Sequence, residues 1–229
     1  MYFAYGEQET AYLKQRDPLL GQIIDQVGHI YRQTDPDLFS AVVHHIIGQQ
    51  ISTKAQDTIW QRMQTAFADI TASKIAAVSI EELQSFGITF RKAAYIKDFA
   101  CQVVTGSFNI EELKDKPDAE VIADLTSLKG IDVWTAEMIL LFCLERADIF
   151  SYDDLALQRG LRMLYHHRKI DRKLFEKYRR RFSPYGSVAS LYLWAVAGNA
   201  VAGLKDYAPT GKGVANGKSR KNNRGKKQG

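Results

Sequence analysis

Two adjacent acidic residues, Asp153 and Asp154, stand directly before a segment with helical periodicity. Adjacent acids at a helix N-terminus have an ordinary explanation, because one can cap the helix and the other can interact favourably with its dipole. That explanation accounts well for one aspartate and leaves the second carboxylate available for chemistry. A partly buried carboxylate can oppose a developing positive charge or activate a water molecule.

A short turn about twenty residues earlier could bind a phosphate. The pattern predicts a helix that ends at Leu128, a turn over residues 129–132 and a second helix that begins at Val133. A turn that leads into a helix N-terminus exposes unpaired backbone N–H groups, and the helix dipole adds a partial positive charge. Such a turn can hold a phosphate whatever the base sequence, although an ordinary connector between two helices has the same pattern.

The helix expected over residues 133–144 connects these two features. It is apolar on almost every side, which predicts a buried central helix. Trp134 and Asp154 are separated by this helix and its return loop, a spacing that can bring both side chains to one cleft. Glu137 is the lone acid on the helix, and we expect it to pair with a basic side chain. A metal site is not expected at His44 and His45, because adjacent side chains point about 100° apart on a helix.

Helical periodicity runs through nearly all of the chain. Only five prolines are present, and no segment longer than about five residues alternates as a strand would. Asp17-Pro18 and Asp35-Pro36 are typical helix starts. The sequence therefore predicts an all-α protein with about eleven short helices, near residues 18–27, 36–49, 53–67, 72–77, 80–86, 90–105, 117–128, 133–144, 154–166, 171–182 and 187–201.

Composition excludes several classes of protein. Two cysteines in 229 residues exclude a disulfide framework, an iron–sulfur cluster held by four cysteines and a cysteine-based zinc site. The longest apolar runs are too short for a membrane span, and the first residues lack the pattern of a secretory signal, so we expect a cytoplasmic protein with no membrane partner. The net charge of +5 is uneven: residues 211–229 hold seven basic residues and no acid, whereas residues 1–210 hold 24 basic and 26 acidic residues. We expect residues 209–229 to form a disordered basic tail.

Several segments, in order along the chain, resemble the helix–hairpin–helix DNA glycosylase superfamily. Within it the chain is similar to bacterial DNA-3-methyladenine glycosylase II enzymes. The resemblance covers about residues 38–200 and is carried by HHIIGQQIST (44–53), FGITFRKAAYIKDFA (86–100), the pattern LxGIxxWTA (128–136), ADIFSYDDLALQRGLRMLY (147–165) and SPYGSVASLYLW (183–194). Fewer than 40 residues precede the matching core, so we expect no N-terminal β-domain of the kind that the larger bacterial enzymes carry.

The resemblance implies a fold of two helical subdomains flanking a DNA-binding cleft. One would be a bundle of residues 36–135 that includes the hairpin, and the other would join residues 1–35 to residues 136–208. The implied activity is hydrolysis of the N-glycosidic bond of alkylated purines, 3-methyladenine and 7-methylguanine, by a monofunctional glycosylase of base-excision repair. Excision of oxidised or deaminated bases and non-catalytic binding of damaged DNA are the alternatives. We expect a monomer that binds double-stranded DNA and needs no cofactor.

The resemblance also assigns roles to individual residues. Asp154 falls on the catalytic aspartate, and Asp153 falls on the preceding acid, which we expect to cap the helix. Trp134 lies where bifunctional relatives have a lysine nucleophile. Gln50 falls on the position that wedges into the base stack. The base pocket would be lined by Trp134, Met138 and Trp194, the DNA-binding hairpin would comprise Lys129, Gly130, Ile131, Asp132 and Val133, and the backbone of Thr126, Leu128 and Ile131 could hold a monovalent cation.

One position departs from the family pattern. The hairpin has Asp132 where the family usually has a second glycine. Aspartate tolerates a left-handed backbone better than most residues, so we expect the turn to form. Its carboxylate would nevertheless repel a phosphate about 5 Å away by about 0.8 kcal/mol in bulk water, and by roughly 3 kcal/mol at an effective dielectric constant of 20.

Overall fold

The computed structural model describes residues 1–209, and the fold is all-α, as the sequence predicts. The only β-type pairing in this part of the chain is an isolated bridge between Tyr2 and Gln33. The expected basic tail lies, from residue 210 onward, outside the described residues. The helices are α1 (Glu7–Arg16), α2 (Pro18–Val27), α3 (Leu38–Gly48), α4 (Thr53–Phe67), α5 (Ala72–Ala77), α6 (Ile80–Ser85), α7 (Phe90–Thr105), a 3-10 turn (Glu111–Lys114), α8 (Asp118–Ser127), α9 (Val133–Phe142), α10 (Leu155–Tyr165), α11 (Arg172–Phe182) and α12 (Gly186–Ala197). Within residues 1–209, no helix is long and apolar enough to cross a membrane.

All eleven predicted segments form helices, and two further elements were not predicted. Helix α1 was missed because its sequence is mostly polar and buries only Leu13. It is held by a bond from the Gly6 N–H to the Glu9 carboxylate (2.7 Å) and by packing against α2. The 3-10 turn was missed because four residues are too few to show a period. The last predicted helix ends early, at Ala197, where Gly198 follows.

An ion pair to a buried aspartate connects the N-terminal segment to α11. Asp17 caps α2, since its Oδ1 accepts a hydrogen bond from the Leu20 N–H (3.0 Å), and its side chain is only 2% exposed. Its second oxygen, Oδ2, accepts from the Arg181 guanidinium on α11 (2.6 Å). An aspartate before a proline thus does more than start a helix, because it fixes the N-terminal segment to α11.

Helix α9 is the central helix, although it is not buried along its whole length. Its middle contributes Ala136, Ile139, Leu140 and Leu141 to the core with essentially no exposure. Its first turn is open instead: the side chains of Val133 and Trp134 are 45% and 37% exposed. The apolar sequence therefore serves two purposes, a core along most of the helix and an apolar surface at its start.

Helix α10, which begins directly after Asp154, is positioned by close packing against α12. A Cβ atom added to Gly160 on α10 would lie 2.3 Å from the carbonyl oxygen of Leu193 on α12. This distance is far below a van der Waals contact, so only glycine fits. The direction in which α10 presents Asp154 therefore depends on a glycine near its centre.

Gly160→Ala tests this contact by the sign of the stability change. In an open helix interior, alanine stabilises by about 0.5–1 kcal/mol relative to glycine. Here we expect a loss of about 1–3 kcal/mol in the free energy of unfolding, because a backbone carbonyl must move. Urea denaturation of the variant and the wild type measures the change. A stabilised Gly160→Ala protein would mean that the two helices are not in close contact.

Candidate active site

Asp154 is buried at the start of α10 and uses both carboxylate oxygens. Its Oδ1 accepts a hydrogen bond from the Leu157 N–H (2.6 Å), so Asp154 is itself the N-cap of α10. The prediction that Asp153 caps the helix is therefore wrong, because the exposed Asp153 is one residue too early to reach the first free amides. Only 5% of Asp154 is exposed, and no cation lies within ion-pair distance of it in residues 1–209.

Trp134 provides the second bond to this carboxylate. Its indole Nε1–H donates to Oδ2 of Asp154 at 3.0 Å. Trp134 lies in the first turn of α9, immediately after the hairpin, so this bond joins the hairpin to the start of α10. The structure thus brings Trp134 and Asp154 together, as their spacing predicts.

The hairpin turn depends on Gly130. Its φ is +89°, and a Cβ at this position would lie 2.4 Å from a ring carbon of Tyr95. Asp132 has an extended backbone with φ −95°, so the left-handed tolerance considered for it is not needed. Its Oδ1 accepts a hydrogen bond from the Thr135 N–H (2.8 Å) and caps α9. The aspartate at this position therefore works as a helix cap.

The remaining hairpin residues are partly committed to the turn. Ile131 is buried at 6% exposure, whereas Lys129 is exposed with its Nζ 3.5 Å from Asp98. The Leu128 carbonyl accepts a bond from the Ile131 N–H (3.2 Å), which leaves one lone pair for a further ligand. A monovalent cation on the carbonyls of Thr126, Leu128 and Ile131 stays a prediction.

The loop between α3 and α4 is tied to the hairpin by the Gln49 side chain and to α7 by its backbone carbonyls. The Gln49 amide Nε2 donates to the Gly130 carbonyl at 2.6 Å. From the first turn of α7, Lys92 Nζ donates to the carbonyls of Ile47 (2.7 Å) and Gln49 (2.6 Å). Gln50 follows with φ +58° and an exposed side chain. Neither Gln49 nor Lys92 was given a role from the sequence, although both stand in segments that carry the family resemblance.

These bonds link the N-terminal ends of four helices, and each end carries exposed apolar surface. Helices α4, α7 and α9 are joined through Gln49 and Lys92, and α10 is joined through Trp134. The exposed side chains are Ile51 (38%), Phe90 (58%), Val133 (45%), Trp134 (37%) and Leu155 (78%). Helix N-termini present free N–H groups and partial positive charge, so this surface suits a partner that is both anionic and apolar in part. The sequence did not predict the exposure of Ile51, Phe90 and Leu155, because an apolar residue at or just before the start of a helix is usually interpreted as part of the core.

The predicted pocket residues lie along one side of α9. Trp134, Met138 and Phe142 are spaced by four residues and so share a face, with Met138 only 3% exposed. Trp194 meets this face at Phe142, with ring centroids 5.8 Å apart. Phe142 is two turns from Trp134, about 12 Å along the helix. Phe142, which also lies 4.6 Å below the Arg32 guanidinium, was not predicted.

Glu137 differs from its prediction as well. It makes no ion pair with any residue that the structure describes, and its buried Oε2 has no hydrogen-bond partner there. Burial raises the pKa of this carboxyl. It faces a cavity of about 290 Å³ that is also lined by Asp153, Arg172 and Arg179. The basic side chains Arg172 and Arg179 line the cavity, but neither forms an ion pair with Glu137.

Known proteins match both the sequence and the fold. The chain is 29% identical over 161 residues to DNA-3-methyladenine glycosylase 1 of Schizosaccharomyces pombe, which covers 68% of this chain and 71% of that one. Its fold is similar to a DNA-3-methyladenine glycosidase from Bacillus halodurans, with a TM-score of 0.78, 35% identity and coverage of 87% of this chain and 94% of that one. It is also similar to the S. pombe 3-methyladenine DNA glycosylase in complex with abasic DNA, with a TM-score of 0.72, 27% identity and coverage of 82% and 96%. A family model described as HhH-GPD superfamily base excision DNA repair protein matches residues 43–184, more than half of the sequence, and the chain therefore belongs to that superfamily.

Proposed function

We propose that this protein is a monofunctional DNA glycosylase that hydrolyses the N-glycosidic bond of alkylated purines, 3-methyladenine and 7-methylguanine, in double-stranded DNA. The observation that carries the proposal is the buried Asp154 carboxylate, held by Trp134 beside the hairpin. The similar proteins support the substrate class, because those from S. pombe and B. halodurans are named for 3-methyladenine, and one of them was solved with abasic DNA, the product of base removal.

DNA docking relies on backbone groups of the hairpin. The N–H groups at the start of α9 point away from the helix, and a phosphate next to the damaged nucleotide binds there without reading its base. The Thr135 N–H already donates to the Asp132 carboxylate, so the N–H groups of Val133 and Trp134 are the free ones. The exposed Lys129 adds a positive charge at the same turn.

Access to the glycosidic bond requires that the damaged nucleotide leaves the base stack. This step costs a few kcal/mol, and it costs least for a damaged or mispaired base. We propose that Gln50 fills the resulting gap; its exposed side chain, in a loop held by the bonds of Gln49 and Lys92, supports this role. A loop that is already held in place can keep the Gln50 side chain inside the stack without a further loss of backbone conformational entropy each time the protein binds DNA.

Asp154 acts on the sugar. Breaking the glycosidic bond builds positive charge on the deoxyribose ring, as in an oxocarbenium ion. The carboxylate opposes that charge in a site with little water, and it can orient or deprotonate the attacking water. A base alkylated at N3 or N7 is already cationic and leaves as a neutral molecule, so no second, protonated carboxyl is required.

The identity of residue 134 accounts for the lack of strand cleavage. A lyase reaction needs an amine that forms a Schiff base with the sugar. The Trp134 indole nitrogen is no such nucleophile, and its proton is used in the bond to Asp154. A hydrolytic reaction with water as the nucleophile is therefore the chemistry that this site supports.

Aromatic faces supply selectivity for a cationic base. A cation over an aromatic ring gains about 0.5–2 kcal/mol, depending on how far it is desolvated. Trp134, Met138 and Trp194 are the pocket residues we propose, with Phe142 added because it shares the face of α9 that carries Trp134 and Met138, and because it contacts Trp194. Excision of oxidised or deaminated bases lacks this electrostatic support, because those bases are neutral.

We also propose that the cleft divides two helical subdomains, residues 36–135 and residues 1–35 with 136–208. The contacts of α1 and α2 with α12 support the second unit, and those of α5 and α6 with α7 support the first. Helix α9 crosses the proposed boundary at residue 135, which places the hairpin in one unit and the rest of the helix in the other.

Asp154→Asn should abolish base release without loss of DNA binding. Asparagine is as good a helix cap as aspartate, so the fold is retained, but the charge that opposes the oxocarbenium ion is gone. We expect release of methylpurines from methylated DNA, followed by chromatography, to fall at least about a hundredfold. Asp153→Asn is the matched control and should release bases at the wild-type rate. Unchanged release by Asp154→Asn would identify the wrong acid, and release of oxidised or deaminated bases by the wild type in place of methylpurines would favour the rival substrate class.

Trp134→Phe should slow base release while leaving DNA affinity nearly unchanged. The ring remains, but the bond to Asp154 is lost, and a hydrogen bond to a charged group contributes about 1.5–3 kcal/mol. A single-turnover rate about tenfold lower or more is expected, since about 1.4 kcal/mol is a factor of ten. Trp60→Phe, whose ring packs against His44 at 4.6 Å, is the control. Equal losses in both variants would point to general destabilisation and not to the bond.

Asp132→Asn should tighten DNA binding. The amide still caps α9, whereas the negative charge near the docked phosphate disappears. Relief of about 0.8 kcal/mol corresponds to about a fourfold lower Kd, and the gain should shrink as salt screens the charges. Titration of a fluorescent duplex measures it, beside the exposed Asp69→Asn, which changes net charge by the same amount. Identical affinities for the two variants would show that the Asp132 carboxylate faces away from DNA.

A further inference from the structure

Positive charge in the described part of the chain is concentrated in one short segment. Residues 168–181, which are α11 and the turn before it, hold eight basic and two acidic side chains. The rest of residues 1–210 holds 16 basic and 24 acidic side chains. A protein that binds DNA with an otherwise acidic body must place its cations at the contact, because its net field would repel the phosphates.

The apolar and the basic side chains of α11 lie on different faces of the helix. One face packs into the core through Phe175, Tyr178 and Phe182. On the outer side, Lys173, Lys177 and Arg180 follow one another at spacings of four and three residues, so they form a single row. All three are exposed. We call this row, with the exposed Arg168 and Lys169 of the preceding turn, the α11 basic face.

The lysines and the arginine of this row form no ion pair within residues 1–209, unlike two other arginines of α11. Arg181 is engaged with the buried Asp17, and Arg172 lies 3.2 Å from Glu176 and 4.8 Å over the Tyr152 ring. By contrast, Lys173, Lys177 and Arg180 make no ion pair with any residue up to 209. Asp171 is occupied as the cap of α11 through the Leu174 N–H (2.8 Å). The charges of Lys173, Lys177 and Arg180 are therefore available to an external anion.

The basic face lies beside the proposed active site. Arg172 and Arg179, in the neighbouring row of α11, line the same cavity as Val133 and Asp153. Val133 is the first residue after the hairpin, and Asp153 precedes the proposed catalytic acid. The row from Lys173 to Arg180 extends about 10 Å along the helix axis, enough to follow about three phosphates of one strand.

We propose that the α11 basic face is a second DNA-contact surface that binds the phosphodiester backbone on one flank of the damaged nucleotide. This inference rests on the proposed function for its ligand, double-stranded DNA, and extends it from one phosphate at the hairpin to a run of phosphates. The contact is electrostatic and independent of base sequence, so it contributes affinity and search along undamaged DNA rather than choice of lesion.

The test neutralises the row and compares it with an equal charge change elsewhere. The full chain with Lys173→Gln, Lys177→Gln and Arg180→Gln is titrated with an undamaged duplex at several salt concentrations. The control carries Lys74→Gln, Lys114→Gln and Lys205→Gln, three exposed lysines outside α11. Three lost phosphate contacts should lower the slope of log K against log salt by about 2–3 and weaken binding at least tenfold at about 0.1 M salt.

Single-turnover release of methylpurines at saturating enzyme separates this inference from the proposed function. The α11 variant should release bases at the wild-type rate once bound, because none of the three residues touches the cleft. A slope and Kd equal to those of the control would overturn the inference, even if base release is confirmed. A wild type that releases no methylpurine would overturn the proposed function, whereas the slope difference on undamaged DNA would still be measured and would still decide whether α11 contacts the duplex.

Discussion

The hydrogen bond between the Trp134 indole and the Asp154 carboxylate is the contact on which the site depends. It joins the first turn of α9 to the start of α10 across 20 residues of chain. Its length is set from both sides, since Gly130 fixes the hairpin against Tyr95 and Gly160 fixes α10 against α12. Neither glycine touches the carboxylate, yet a side chain at either position would move one of its partners. A bond of 3.0 Å tolerates little such movement.

Asp154 combines a structural and a chemical task in one side chain. As an N-cap it gains about 0.5–2 kcal/mol of stability, and the helix dipole favours its negative charge. Within residues 1–209 no basic side chain pairs with it, so its charge is met by N–H dipoles alone. A carboxylate that is bound only by N–H dipoles keeps its net negative charge, so it can still attract a cation that approaches from outside. An ion pair with a lysine or arginine would have satisfied it and removed that effect.

Sequence patterns were sufficient for the helices and for the principal pair of the site. Helix caps and apolar periodicity predicted eleven helices, and the spacing of Trp134 and Asp154 predicted that both side chains could reach one cleft. Other features depend on three-dimensional contacts. Helix α1 is too polar to show a core face, and the cap role moved from Asp153 to Asp154 because one residue of register decides which carboxylate reaches the amides. The bonds of Gln49 and Lys92 run to backbone carbonyls of distant segments, and side-chain types give no sign of such partners.

Asp132 shows how stability and DNA affinity compete at a single position. Its bond to the Thr135 N–H starts α9 and is of the kind that contributes about 0.5–2 kcal/mol. Repulsion of a nearby phosphate lies between about 0.8 and 3 kcal/mol, so the two effects are of the same size. Lys129 cannot cancel the repulsion fully, because Asp98 lies 3.5 Å from its ammonium group. In the proposed complex, cations elsewhere offset this repulsion, and within residues 1–209 the densest group of cations lies on α11 and the turn before it.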